Sequence, residues 1–262
     1  NNAVYIDRSK AYLKNMNVTG GTGSDNLFLV HESLFTIEDS IIKNHQGLLF
    51  NSNRSTVKFY RNNLIINENT SAGCVVYFGD TDFLFEEGTE INGLNNSSCT
   101  AFNITRSRGE FFDITIKSKD SNAFYVVASD LKIRGGSFSS TNKKGIYVKE
   151  GSRLNIQSSS GDLSITSSGD DALEIRSSYV LLEKGSNDFT ISSSSSGDYD
   201  ISNRSFSTLD IENHAFSNIE VKDASNLIID SNATITTLTC ASNSNILKFG
   251  TVTDTSACSN AQ

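Results

Sequence analysis

Two acidic segments carry the residues best suited to chemistry: Ser168-Gly169-Asp170-Asp171-Ala172-Leu173-Glu174-Ile175 and Gly197-Asp198-Tyr199-Asp200. Hydrolysis of a glycosidic bond requires two carboxylates across the scissile bond, one as acid and one to activate water or attack. Asp170, Asp171, Asp198 and Asp200 are therefore the candidate catalytic residues. A lyase would use a basic side chain instead, for which Lys143, Lys144 or Arg176 are at hand, with the aspartates holding calcium. The same cluster could bind calcium without catalysis. The simplest alternative, and the one the sequence favours, is that both segments are loop residues that start a strand. The histidines are only His31, His45 and His214, and the Gly-Gly-x-Gly-x-Asp nonapeptide of calcium β-rolls does not occur.

The elements that must position these residues are short strands. Apolar residues come in small β-branched and aromatic clusters such as Ala3-Val4-Tyr5-Ile6 and Leu64-Ile65-Ile66, which suit strands better than helices. One pattern recurs: Ser or Thr, any residue, an apolar residue, any residue, an apolar residue. It appears at 9–13, 33–37, 55–59, 81–85, 107–111 (with Gly109 in the middle), 129–133, 152–156, 178–182, 207–211 and 225–229. The intervals run from about 18 to about 29 residues, the range of solenoid repeats. Each copy follows another strand-like cluster, as Ala123-Phe124-Tyr125-Val126-Val127 precedes Ser129, and some are followed by a third, such as Leu163-Ser164-Ile165. Gly, Asn, Asp and Ser separate the clusters, as turns require.

Alternation along a strand sends one side chain inward and the next outward. One such unit cannot bury its apolar side, whereas stacked units bury a continuous core. The reading is an all-β, right-handed parallel β-helix of about ten to eleven rungs with three strands per rung. It is a single domain over residues 1–262, either whole or a segment cut from a longer chain. A left-handed β-helix would keep a strict hexapeptide period, and a β-sandwich would lack the longer repeat. The recurrent Ser/Thr reads as a turn residue that bonds its own backbone.

The four cysteines, Cys74, Cys99, Cys240 and Cys258, fit two disulfides and an oxidising compartment. Cys74 and Cys99 lie about one rung apart, where stacked strands about 4.8 Å apart bring Cα atoms within bridging distance. Cys240 and Cys258 would pin the last rung. A net charge of −8 disfavours nucleic acid and anionic membranes as partners. There is no apolar run long enough to span a membrane as a helix. No signal peptide is visible, so the chain reads as a mature product or an excised segment.

The rung pattern resembles the pectin-lyase-like superfamily across nearly the whole chain, a fold that hosts lyases, hydrolases, depolymerases and inert adhesins. The Gly169-Asp170-Asp171 segment before a strand is similar to that of polygalacturonase-type hydrolases. In that family paired aspartates supply the acid and position water. The chain departs from the family elsewhere. Asn142-Lys143-Lys144-Gly145 stands where the resemblance calls for Asn-Thr-Asp, no histidine follows one rung later, and the Arg-Ile-Lys segment is absent. Phe59-Tyr60-Arg61-Asn62 and Ser71-Ala72-Gly73-Cys74-Val75-Val76-Tyr77 loosely resemble motifs of polymorphic outer-membrane adhesins.

The functional expectation is an extracellular or cell-surface structural or adhesive solenoid without catalysis, a building block of a stalk or filament. Its partners would be copies of itself end to end, or surface glycans. The ends carry no amphipathic helix to cover them, which motivates the end-to-end idea. The alternative is a depolymerase of acidic polysaccharide, with outward Tyr125 and Tyr147 lining a sugar groove. Glycosylation sequons occur at Asn17, Asn53, Asn69, Asn95, Asn96, Asn103, Asn203 and Asn232. That number is close to what composition alone predicts, and Asn69, Asn95 and Asn96 lie in loops.

Overall fold

The computed structural model describes residues 3–21, 25–67, 75–94, 100–241 and 243–258. Among them every regular element is a strand, and the strands form three parallel sheets of 12, 11 and 8 members. In most of each sheet a strand's neighbours are the strands three places before and after it in the chain. This is a parallel β-solenoid. The first face begins with Val4–Asp7, the second with Lys10–Lys14 and the third with Asn17–Thr19. These three strands are coil 1, and later coils are numbered from it.

All ten copies of the sequence pattern fall on the second face, in register. Leu131 pairs with Leu154, which pairs with Val180, and Ile133 with Ile156 and then Leu182. The inward column of Ile37, Phe59, Phe85, Phe111, Ile133, Ile156, Leu182, Ile211 and Ile229 is fully buried. Each such side chain contributes about 1.5–3 kcal/mol through burial. Gly109 interrupts the neighbouring inward column because the Phe83 ring fills its space. A Cβ at Gly109 would lie 2.2 Å from that ring. Aromatic packing runs from Phe28 through Phe50, Phe78, Phe102 and Phe124 to Phe138.

The corner between first and second faces explains the serine of the pattern. A residue with positive φ makes the bend, among them Arg8, Glu32, Arg54, Asp80, Arg106 and Ala128 at 46° to 50°. That conformation is uncommon for non-glycine residues. The next residue repays it. The Ser129 hydroxyl donates to the Val127 carbonyl (2.7 Å) and accepts the Ser107 N–H one coil earlier (3.0 Å). The same link joins Ser129 to Ser152, Ser152 to Ser178, and Ser178 to Ser207. The Ser/Thr therefore bonds its own backbone, as read from the sequence, and also ties each coil to the next.

The number of three-stranded rungs is eight, not ten to eleven. After coil 8 the third-face segment fuses with the following first-face strand, giving the seven-residue strands Ala215–Val221, Thr234–Cys240 and Thr251–Ala257. The corner loop between them is gone, so the serine interval falls from 29 residues (Ser178 to Ser207) to 18 (Ser207 to Ser225). An eleventh second-face strand, Asn245–Lys248, escaped the pattern because Lys248 stands opposite Ile229 in the inward column.

The two ends of the stack differ. In coil 1 the core residues Val4, Ala11, Leu13 and Val18 are only partly buried. At the other end, Cys240 and Cys258 are bonded as expected, with Cα atoms 4.9 Å apart. Cys74 and Cys99 lie outside the described residues, as does most of the Ser71–Tyr77 adhesin-like motif.

Candidate functional site

The acidic segments sit where the third face turns into the first, on coils 7 to 9. Gly169-Asp170-Asp171 leads into Leu173–Arg176, and Gly197-Asp198-Tyr199-Asp200 into Ile201–Arg204. The two strands pair directly, Leu173 with Ile201 and Glu174 with Ser202. The preceding corners therefore stack. Carboxylate oxygens of Asp170, Asp171 and Asp198 come within 4.8 Å of one another. The two acidic segments thus stack on successive coils.

Asp170 and Asp171 are paired with cations, whereas Asp198 has no ion pair among the described residues. Lys144, from the corner one coil earlier, places its Nζ 2.6 Å from Asp170 and 3.0 Å from Glu174. Glu174 is 1 % exposed and also accepts from the Arg176 guanidinium. Burial works against the Lys144 ammonium, but Asp170 and Glu174 together hold it above the usual lysine value. Asp171 is buried and accepts the Tyr199 N–H at 2.9 Å, with Arg204 at 3.5 Å. Burial pushes its carboxyl above the usual range, against the pull of Tyr199 and Arg204. Arg204 in turn lies 2.7 Å from Glu220, which also meets Lys222 at 3.1 Å.

Asp200 has a different task. Its two oxygens accept the backbone N–H groups of Ser193 (2.9 Å) and Asn218 (3.0 Å), so it staples three chain segments together. Burial raises its carboxyl too, offset by those two bonds. The four candidates are therefore brought near one another, but Asp200 points into backbone.

Calcium takes six to eight oxygen ligands and is drawn to uncompensated carboxylates. Here Lys144 and Arg204 already supply positive charge to the trio, and Tyr199 N–H occupies one Asp171 oxygen. A cation bound by the trio would have to compete with Lys144 for Asp170 and with Arg204 for Asp171.

Outward on the first face, Tyr125 and Tyr147 stand on successive coils with ring centroids 5.3 Å apart. Lys144 and Arg176 lie against the Tyr147 ring at 5.7 and 5.6 Å, and Lys149 against Tyr125 at 5.3 Å. An aromatic pair with cationic flanks thus adjoins the acidic corner. Lys143 caps the preceding third-face strand, its N–H on the Ser140 hydroxyl at 3.1 Å. His214 is not part of this group. It packs between Phe189 (4.9 Å) and Phe216 (4.5 Å) on the third side.

The sequon asparagines have unlike settings. Asn17 is exposed on a third-face strand, and Asn232 lies in an exposed turn with its amide on Asn213 at 3.0 Å. Asn53 and Asn103 are half-buried, Asn53 bonding Asn51 at 2.8 Å. Asn203 is fully buried and donates to the Asn226 carbonyl at 2.7 Å. A glycan there is incompatible with the folded coil. Asn69, Asn95 and Asn96 lie outside the described residues.

Sequence reasoning named Lys144 and Arg176 as candidate bases but missed the pairing of Lys144 with Asp170, and missed Arg204. Lys144 is one coil before Asp170 and Arg204 one coil after Arg176, so only the coil register joins them. It also missed a ladder of alternating charge on the first corner. Arg8 meets Glu32 at 2.8 Å, Glu32 meets Arg54 at 3.4 Å, and Arg106 meets Asp80 at 2.8 Å. The alternation Arg-Glu-Arg-Asp-Arg one residue before successive pattern serines was the available signal. No family model, no curated protein and no solved structure matches this chain.

Proposed function

We propose that the chain is a non-catalytic structural or adhesive β-solenoid of an extracellular or cell-surface protein, with kinship to pectin-lyase-like solenoids at the level of fold. One observation carries this reading. Asp170, Asp171, Asp200 and Glu174 all spend their oxygens on cations or backbone N–H groups of neighbouring coils. Carboxylates engaged in this way hold the stack together and are poorly placed to trade protons with a substrate. The partners that suit it best are glycans along the faces, beginning at Tyr125 and Tyr147, since aromatic rings present an apolar body to a sugar ring.

End-to-end stacking of copies is less well supported at the Lys248 end. Adding a coil below Asn245–Lys248 would bury Lys248 in the column that Ile229 and Ile211 fill above it.

The test of the main reading is incubation with polygalacturonate and with alginate, followed by assays for reducing ends and for unsaturated products. Neither should appear. Products that vanish in Asp171→Asn would replace this reading with the depolymerase. That second reading is favoured by one specific arrangement: a buried carboxyl with a raised pKa, Asp171, beside Asp170, whose partner Lys144 lies against the outward Tyr147 ring. A general acid needs such a carboxyl.

A further inference from the structure

A second, independent recess lies on the other side of the molecule, at the corner between second and third faces on coils 4 to 7. Its floor is Leu84 and Phe112, and its walls carry Glu86, Glu87, Glu110, Asp113 and Ser160, around a cavity of about 560 Å³. That volume is within the range of small-ligand sites.

The recess has a structural cause. On coil 6 the corner is Gly135, and a Cβ there would lie 3.0 Å from the backbone nitrogen of Gly161. The bare glycine lets loop 158–161 of coil 7 climb over the corner. Ser160 N–H bonds the Arg134 carbonyl at 2.7 Å, and Gly161 packs beside the Asp113 carboxyl. Ser160 of this loop thus forms the far wall of the recess.

Its charge is unbalanced. Four carboxylates line it, and one guanidinium, that of Arg134, pairs with Glu110. Among the described residues Glu86, Glu87 and Asp113 have no cationic side chain within ion-pair distance, unlike Glu32, Glu38, Asp80, Glu174 and Glu220. Partial burial pushes the Asp113 carboxyl up, and Glu87 and Asp162 push it further. The floor already shows which group suits it. The Arg134 guanidinium lies 5.6 Å from the Phe112 ring centroid while pairing with Glu110. A cation against an aromatic ring, held by a carboxylate, is the local chemistry.

We propose that this recess binds an organic cation on an alkyl stem, an alkylammonium or alkylguanidinium. The stem covers Leu84 and Phe112, and the charged head meets Glu87 and Asp113. The site is separate from the Asp170 corner and does not rest on the glycan-binding reading. Free small cations and the lysine or arginine side chains of a partner share this chemistry.

The test is titration of the isotope-labelled chain at low salt with agmatine, with the tripeptide Gly-Arg-Gly and with uncharged n-butanol, read by amide chemical shifts. Agmatine should give saturable shifts at residues 86–87, 112–113 and 160, with n-butanol leaving them in place. Affinity should fall at least tenfold in the Glu87→Gln/Asp113→Asn double variant and severalfold in Phe112→Leu. Binding should also lower the Asp113 carboxyl pKa, followed by its side-chain carbon resonance. Agmatine without the tripeptide identifies a free small cation; comparable binding of both identifies a side chain. Shifts that do not saturate, that map to Asp170, Asp171 and Asp198, or that survive unchanged in the double variant would overturn the proposal.

Discussion

The corner at Asp170 and the corner at Asp113 hold carboxylates in similar number, yet they are built in opposite ways. At the first, Lys144, Arg204 and the Tyr199 N–H arrive from the coils on either side, and these pairings link one coil to the next. At the second, Glu86, Glu87 and Asp113 stack with like charge, around an apolar floor and beneath an overhanging loop. Charge in a solenoid is therefore not informative by sign or density. What matters is whether the neighbouring coil supplies the complement. A satisfied corner is a fastener, and an unsatisfied one costs stability and leaves attraction to spare for a ligand.

The largest effect that separates the two corners should come from Glu174→Gln. It leaves Lys144 and Arg176 facing a buried neutral group, and breaking a buried pair from one side costs about 3 kcal/mol. Urea unfolding should show that loss, and a change within 0.5 kcal/mol would mean the pairs are cosmetic. Asp200→Asn should follow at about 2 kcal/mol, because an amide cannot accept from both Ser193 and Asn218 N–H groups.

The smallest effect should have the opposite sign. Glu87→Gln/Asp113→Asn relieves repulsion and should leave the protein equal or slightly more stable at neutral pH, by about 0.5 kcal/mol or less. Its pH dependence gives a sharper test. Asp113 has a folded pKa raised above the unfolded value. Its stabilising contribution is therefore present below the unfolded carboxyl pKa and lost as pH rises through the folded one. Thermal midpoints of parent and Asp113→Asn should diverge as pH rises across this interval, the parent falling behind. Asp80, lowered by Arg106, should give the reverse. Its contribution is present above the unfolded pKa and lost as pH falls through the folded one, so the penalty of Asp80→Asn should shrink on acidification.

Much of the fold was legible because it is local. Ser129, Leu131 and Ile133 specify corner, inward side chain and inward side chain within five residues, and every copy of that pattern became a second-face strand. The shortening after coil 8 was less visible. Fusing Phe216 and Ile219 into one strand needs only the loss of a loop, and both halves remain strand-like sequences. The acidic segments were legible as loci, and their stacking followed from the repeat. Their chemistry was not, since Lys144 and Asp170 meet across 26 residues.

By itself the sequence determined the all-β solenoid, the position of the serine ladder and the bond between Cys240 and Cys258. Each depends on period-two alternation, a local turn or a spacing equal to one coil. Tertiary structure alone decided which charges meet, how Gly135 admits the loop that walls the Phe112 recess, and where the third face merges with the first. The physical reason is that corner lengths vary from coil to coil. The strands hold the stacking distance constant, but which side chains come into register at a corner depends on how many residues each corner spends in turning.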